Sequence, residues 1–289
     1  MLWMNKKIRE LQGAKSKEIK YIKERRQVMN WETLKLDIMD TGVSVLTFNR
    51  PDTMNSVNDQ FCLDVQAVCK VASENDAVKV VVITGSGKGW SSGGDISMLA
   101  SIKDPISAKA TYDAAGELVK AIYEIKKPVI AALNGVVAGA SVAACLACDL
   151  IIASEKARMG FTFMQLAFCP DSGTSHFLIQ KVGYHKALEL LWFGKILNAE
   201  EAEKLGLLNK VVPHEECLPE AIRWAENLAQ QPLMTVGLDK KLLREASKND
   251  FYQQTELEAM YQVLAWSSDD FKEGCAAFAE KRKPVFKNR

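Results

Sequence analysis

Two glycine-rich turns carry the residues whose types and spacing best suit chemistry. The first is Trp90-Ser91-Ser92-Gly93-Gly94-Asp95-Ile96, and the second is Asn134-Gly135-Val136-Val137-Ala138-Gly139-Ala140-Ser141. Each follows an apolar run with the texture of a buried strand, ending at Thr84 and Leu133. Small side chains let a ligand approach the main chain closely. An amide in the first turn of a helix is an unpaired donor, reinforced by the helix dipole. Two such amides converging on one point stabilise an oxyanion. Neither turn fits G-x-x-x-x-G-K-[ST] or G-x-G-x-x-G, which weakens a nucleotide-loop reading. For either segment alone, a purely structural turn stays open.

The elements that must position these turns alternate. Gly42–Asn49 reads as a half-buried strand and Lys79–Thr84 as a fully buried one. Pro128–Leu133 and Asp149–Ala153 are two more, with helical stretches at about 57–74 and 105–126 between them. This predicts parallel strands with crossover helices, an α/β core. After about residue 180 the strand signals nearly vanish. Helical patterns follow over His185–Trp192, Ala199–Leu205, Glu216–Gln230, Met234–Ala246 and Tyr252–Trp266. Residues 1–28 stand apart as a basic extension with a partial helical pattern, giving a predicted division into 1–28, 29–200 and 201–289.

The 289 residues carry 48% hydrophobic and 25% charged residues and a formal net charge of +1. That is an ordinary globular composition without a nucleic-acid or membrane-surface footprint. No apolar run approaches the roughly 18 residues of a membrane span, and no secretory leader is evident. Seven irregularly spaced cysteines argue for a reducing, cytoplasmic setting. Cys145 and Cys148 form a C-x-x-C but lack a second pair or nearby histidines, so they read as buried thiols and no metal site is expected.

The two turns together, in this strand context, resemble the crotonase (enoyl-CoA hydratase/isomerase) superfamily over about residues 30–289. Arg50-Pro51 before Met54-Asn55 resembles its R-P-x-x-x-N turn, and Ser92-Gly93-Gly94-Asp95-Ile96 its A-G-A-D-[IL]. Asn134-Gly135, Gly139 and Cys148-Asp149 resemble its N-G-x-x-x-G-G-G…C-D block. Pro170-Asp171-Ser172-Gly173 with Val182-Gly183, and then Phe278-Ala279-Glu280-Lys281-Arg282, match two later signatures. The resemblance implies a spiral of ββα repeats with a C-terminal helical region that trimerises, and an assembly that is a trimer or a hexamer. It implies an acyl-CoA thioester as substrate and no cofactor beyond that coenzyme A. The oxyanion donors would be the N–H groups of Gly94 and Ala140. Ser92, Gly93, Asp95, Ile96, Gly139 and Phe163 would line the thioester site. Phe278 and Lys281 would touch the coenzyme A of a neighbouring subunit, or else belong to an ordinary solvated helix.

The acid/base positions depart from the hydratase pattern. Matching the motifs puts Ala143 and Phe163 where family hydratases carry two glutamates, and neither can move a proton. Adding water across a double bond needs a base for the water and an acid for the carbon. Asp171 remains, at a position where isomerases and an aryl-CoA dehalogenase of the superfamily use an aspartate. Facing Phe161, Phe163 and Phe168, it would lose hydration and become a better base. The alternative is a helix N-cap. His176, His185 and His214 are weaker candidates, Ser141 and Ser172 have no evident activating base, and Asp95 also suits a helix cap. The implied activity is Δ3-Δ2 enoyl-CoA isomerisation. The alternatives are a hydrolase, decarboxylase or dehalogenase of the same superfamily, or a non-catalytic acyl-CoA-binding protein. Trp90, Met98 and the three phenylalanines are expected to wall the acyl pocket.

Overall fold

A computed structural model describes residues 26–288. The described residues open with three antiparallel strands, β1 (Arg26–Asn30), β2 (Leu34–Met39) and β3 (Val43–Phe48). Helix α1 (Asp59–Glu74) follows, its N-terminus capped by Asn58, which accepts from the Phe61 amide at 2.9 Å. Two strands, β4 (Val80–Gly85) and β5 (Gly89–Ser91), lead to α2 (Ile96–Ser101) and α3 (Pro105–Tyr123). The pattern repeats as β6 (Val129–Leu133), β7 (Val136–Ala138) and α4 (Ala140–Leu146), then as β8 (Leu150–Ser154), β9 (Arg158–Gly160), α5 (Thr174–Val182) and α6 (Tyr184–Trp192). Strand β10 (Ile196–Asn198), α7 (Ala199–Lys204) and β11 (Lys210–Val212) complete the sheets. Four helices end the chain: α8 (Cys217–Leu228), α9 (Leu233–Glu245), α10 (Phe251–Trp266) and α11 (Asp269–Glu280).

The strands form two sheets, one of seven in the order β1-β2-β3-β4-β6-β8-β11 and one of four in the order β10-β9-β7-β5. Each repeat thus gives its first strand to the large sheet and its second to the small one, which is the expected spiral. The corner between the two strands is tight. A Cβ on Gly135 would sit 2.0 Å from the Lys88 carbonyl oxygen, so only glycine lets neighbouring corners stack there. The motif asparagines tie these corners down. Asn55 donates to the carbonyls of Ser86 and Gly89, and Asn134 accepts from the Gly85 amide and donates to the Gly87 carbonyl.

Both faces of the large sheet are covered. Val81 and Ile83 of β4 face a core shared with α1, α3 and α4, whereas Val80 and Val82 face a second core closed by Cys217, Ala221 and Ala225 of α8. That period-two alternation of wholly apolar residues is what a parallel strand buried on both faces requires.

Three sequence expectations need correction. Residues 26–28 belong to β1 and pair with β2, so the folded chain starts before residue 29; the rest of the predicted basic helix lies outside the described residues. Strands do recur after residue 180, as β10 and β11, each three residues long and too short to show a period. The division at residue 200 does not mark a break, because β11 pairs with β8 and α8 closes a core beneath the same sheet.

Candidate active site

Strands β5 and β7 run parallel and adjacent in the small sheet, so the two glycine-rich turns leave the same sheet edge side by side. They touch. A Cβ on Gly93, whose φ is +92°, would lie 2.6 Å from the Ala138 carbonyl oxygen. Beneath this contact the Ser91 and Ser141 hydroxyls meet at 2.6 Å, and Ser91 also donates to the Asn55 carbonyl at 2.7 Å. Ser141 is therefore a buried pin between the turns.

Gly94 forms an isolated parallel bridge with Val57. The Val57 amide donates to the Gly93 carbonyl at 2.8 Å, and the Asp95 amide donates to the Val57 carbonyl at 2.9 Å. In extended chain, alternate residues direct their polar groups to opposite sides. With Gly93 and Asp95 bonded towards Val57, the Gly94 N–H faces away from it, and no acceptor among the described residues receives it. Ala140 is the first residue of α4, capped by Gly139, so its N–H has no acceptor within the helix. Gly94, Gly139 and Ala140 line one pocket, which also takes in Ser92 and Ile96.

Asp171 closes the same pocket. It does not cap the following helix: Gly173, in the left-handed region, is the N-cap of α5, and Asp171 contributes only its backbone carbonyl, bonded by the Thr174 amide. The residue is half-buried, but its Oδ1 is enclosed and has no hydrogen-bond partner. Burial raises its pKa above the ordinary carboxylate value. Phe163, Phe168 and Met98 line the pocket. Phe161 and Trp90 do not. Both are fully buried in the core, and Trp90 donates its indole N–H to the Ile83 carbonyl and packs edge-on to Phe48. Their bulk suited a wall or a core equally, and the core took them.

Asp95 is committed elsewhere. Its carboxylate caps α2 through Ser97 and Met98 and lies 3.6 Å from the Arg50 guanidinium. Ala143 is fully buried on α4, and no proton-transfer group takes its place. His176 is exposed and pairs with Gln180, His185 is exposed, and His214 bonds Ser154. Cys62 reaches the pocket, but burial pushes its thiol up to about 12, so it is no thiolate. Cys145 and Cys148 are buried free thiols. Phe278 and Lys281 sit exposed on and just beyond α11, outside the pocket.

Tyr112 on α3 went unnoticed in the sequence although it lines the pocket. The Thr111, Tyr112 and Ala115 cluster on one helical face was the available signal.

Residues 39–289 match the enoyl-CoA hydratase/isomerase family. The chain belongs to that family. Among curated relatives, the 1,2-epoxyphenylacetyl-CoA isomerase of Escherichia coli K12 is 34% identical over 256 residues, covering 87% of this chain and 97% of that protein. A probable mitochondrial enoyl-CoA hydratase of Dictyostelium discoideum is 35% identical over 248 residues, covering 86% and 88%. The crystal structure of an enoyl-CoA hydratase subunit I from Geobacillus kaustophilus superposes with a TM-score of 0.86 at 33% identity, covering 90% of this chain and all of that one. Hydratase and isomerase names thus occur together among the enoyl-CoA hydratase/isomerase relatives, and the acid/base groups of this pocket must distinguish the two.

Proposed function

We propose that this member of the family is a Δ3-Δ2 enoyl-CoA isomerase in which Asp171 shuttles the proton. The observation that carries the reading is an enclosed, unpartnered carboxyl oxygen in the same pocket as the amides of Gly94 and Ala140. Asp171 removes the α-proton of a 3-enoyl thioester, and the bonding pair moves into a dienolate whose oxygen the two amides hold. The protonated carboxyl then delivers its proton to the γ-carbon, leaving the double bond conjugated with the thioester. Hydration would need a second acid/base group. Ala143 and Phe163 cannot serve, Asp59 is solvent-exposed, and the pocket's remaining phenol, Tyr112, has a pKa raised by burial, which makes it a weaker proton donor.

The enzyme needs no cofactor beyond the coenzyme A of its substrate. We place it in the cytoplasm as a trimer or a hexamer, in which Phe278 and Lys281 of one subunit meet the coenzyme A bound by the next. Phe278 is 88% exposed, and α10 buries no side chain and exposes Phe251, Met260, Val263 and Trp266, apolar surface that a neighbouring subunit could cover.

The direct test supplies a 3-enoyl-CoA and follows the growth of conjugated enoyl-thioester absorbance. Turnover undiminished in Asp171→Asn sinks the mechanism. Release of free acid, carbon dioxide or halide from an acyl-CoA panel, without isomerisation, assigns a different reaction to the same enolate.

A further inference from the structure

A carboxylate that works as a base where apolar side chains limit its hydration needs a cation or a donor beside it. Among the described residues the pocket around Asp171 supplies no cation, since its other titratable groups are Asp59 and Cys62 of α1 and Tyr112 of α3. The turn that carries Asp171 does supply a donor. The Asp171 carbonyl accepts from the Thr174 amide at 2.8 Å, closing a turn over Ser172 and Gly173 with φ of +53° and +92°. Such a turn favours glycine at both central positions, yet Ser172 holds the left-handed region at the cost of strain.

The Ser172 hydroxyl is enclosed and unpartnered, and so is Asp171 Oδ1 on the preceding residue. One can donate and the other can only accept when ionised, and each lacks the bond that burial demands. On its other side Ser172 meets a small cavity walled by Trp90, Leu118, Val119 and Ala144, where the only other side-chain hydroxyl, Ser141, is engaged with Ser91. Burial raises the Asp171 pKa, and the Ser172 hydroxyl works against that rise, although no hydrogen bond joins the two. Thr174 Oγ1 is also enclosed without a partner, but it exerts no such effect on the carboxyl and lines neither cavity.

We propose that Ser172 is a positioning residue whose hydroxyl turns to donate to Oδ1 of ionised Asp171, leaving Oδ2 to meet the substrate. Rotation about χ1 and about the C–O bond is enough to bring this about. Oδ2 is not among the enclosed atoms, so it is the oxygen open to the pocket. Ser172 keeps its own proton throughout, while the α-proton passes to Oδ2 and on to the γ-carbon. This rests on the proton shuttle described under the proposed function and deepens it.

The test titrates the Asp171 carboxyl carbon by NMR in the full chain, in Ser172→Ala and in Ser172→Gly, with Asp171→Asn assigning the resonance. Both serine variants lose the donor, but only Ser172→Gly relieves the positive φ. Losing one hydrogen bond to a charged group should raise the titration midpoint by about one pH unit in both, a tenfold change in the ionisation constant. The acidic limb of kcat/KM on a 3-enoyl-CoA should move up with it. A midpoint unmoved in both variants, or moved in one alone, would overturn the pairing and leave the isomerase reading standing. Movement in both, with no 3-enoyl-CoA turned over by the full chain, would sink the isomerase and keep the pairing.

Discussion

The Ser141 hydroxyl lies 2.6 Å from that of Ser91, and Ser91 bonds onward to the Asn55 carbonyl at 2.7 Å. One buried relay therefore runs from the first turn of α4, across to the end of β5, and on to the Arg50–Asn55 corner. Ser91 and Ser141 are 1% and 2% exposed, so no water substitutes for either.

Ser141→Ala breaks the relay beneath the two amides. It should cost about 1–3 kcal/mol of stability, the range for leaving a buried hydroxyl without its partner. Its larger effect should fall on kcat, because an amide displaced from the oxyanion loses stabilisation expressed only in the transition state. Urea unfolding and steady-state kinetics measure the two effects separately. An unchanged kcat would show that the relay does not hold the hole in shape.

Asp171 links activity to pH. On the proposed mechanism it must be ionised to accept the α-proton, so kcat/KM should rise with pH through a value above the roughly 3.9 of a free aspartate. Asp171→Asn should lower turnover by about 10²–10⁴-fold. A limb at the free-aspartate value would show that burial does not raise this carboxyl's pKa in the free enzyme.

The same raised pKa affects stability with a definite sign. The folded chain holds this proton more tightly than the unfolded chain. The favourable contribution is therefore complete below the ordinary carboxylate value and is lost as pH rises through the folded one. At pH 7–8 the ionised side chain costs stability, and Asp171→Asn should melt higher than the parent by about 2–4 °C for each kcal/mol recovered. Below about pH 4 the gap should close. Thermal melts across this range check it, and a gap independent of pH would assign the effect to something other than ionisation.

Gly93→Ala places a methyl group 2.6 Å from the Ala138 carbonyl oxygen at a φ of +92°. The strain alone should cost about 1–3 kcal/mol, and relief requires the two turns to separate. Loss of activity should exceed what the unfolded fraction explains, as activity per folded molecule would show.

Asp149 accepts from Lys240 at 2.7 Å, from Arg244 at 2.9 Å and from the Val129 amide at 2.8 Å. Lys240 is nearly buried, and burial, only partly offset by Asp149, lowers its pKa. Asp149→Ala removes the counter-charge of that cation, leaving it only the Ile125 and Lys127 carbonyls, and should cost about 3–5 kcal/mol. Asp149→Ala with Lys240→Met should recover part of the loss in denaturant unfolding. No recovery would mean that Arg244 and the Val129 amide dominate.

The parts of this architecture that the sequence made legible are those written in apolar runs and glycines. The β4, β6 and β8 runs and the two glycine-rich turns needed only hydrophobicity and the absence of a side chain. Strands β5, β7, β9 and β10 are three residues each and were out of reach of any periodicity. They are held by neighbours in the spiral, a long-range condition. Asp171 stood out by type and position, but an N-cap at the same residue reads alike in sequence. Only the left-handed Gly173, which takes the cap position, separates the two. Tyr112 was lost among the residues of an amphipathic helix, where a pocket wall and a core face share the same spacing.

The two donors at Gly94 and Ala140 belong to the main chain, and this has a consequence for descent. No substitution of a side chain deletes a peptide N–H, short of proline. On the proposed mechanism, mutation can therefore exchange Ala143, Phe163, Asp171 or Tyr112 one at a time while the main-chain donors that would bear an enolate are inherited intact. A lineage built on this scaffold can change its reaction without first losing its intermediate.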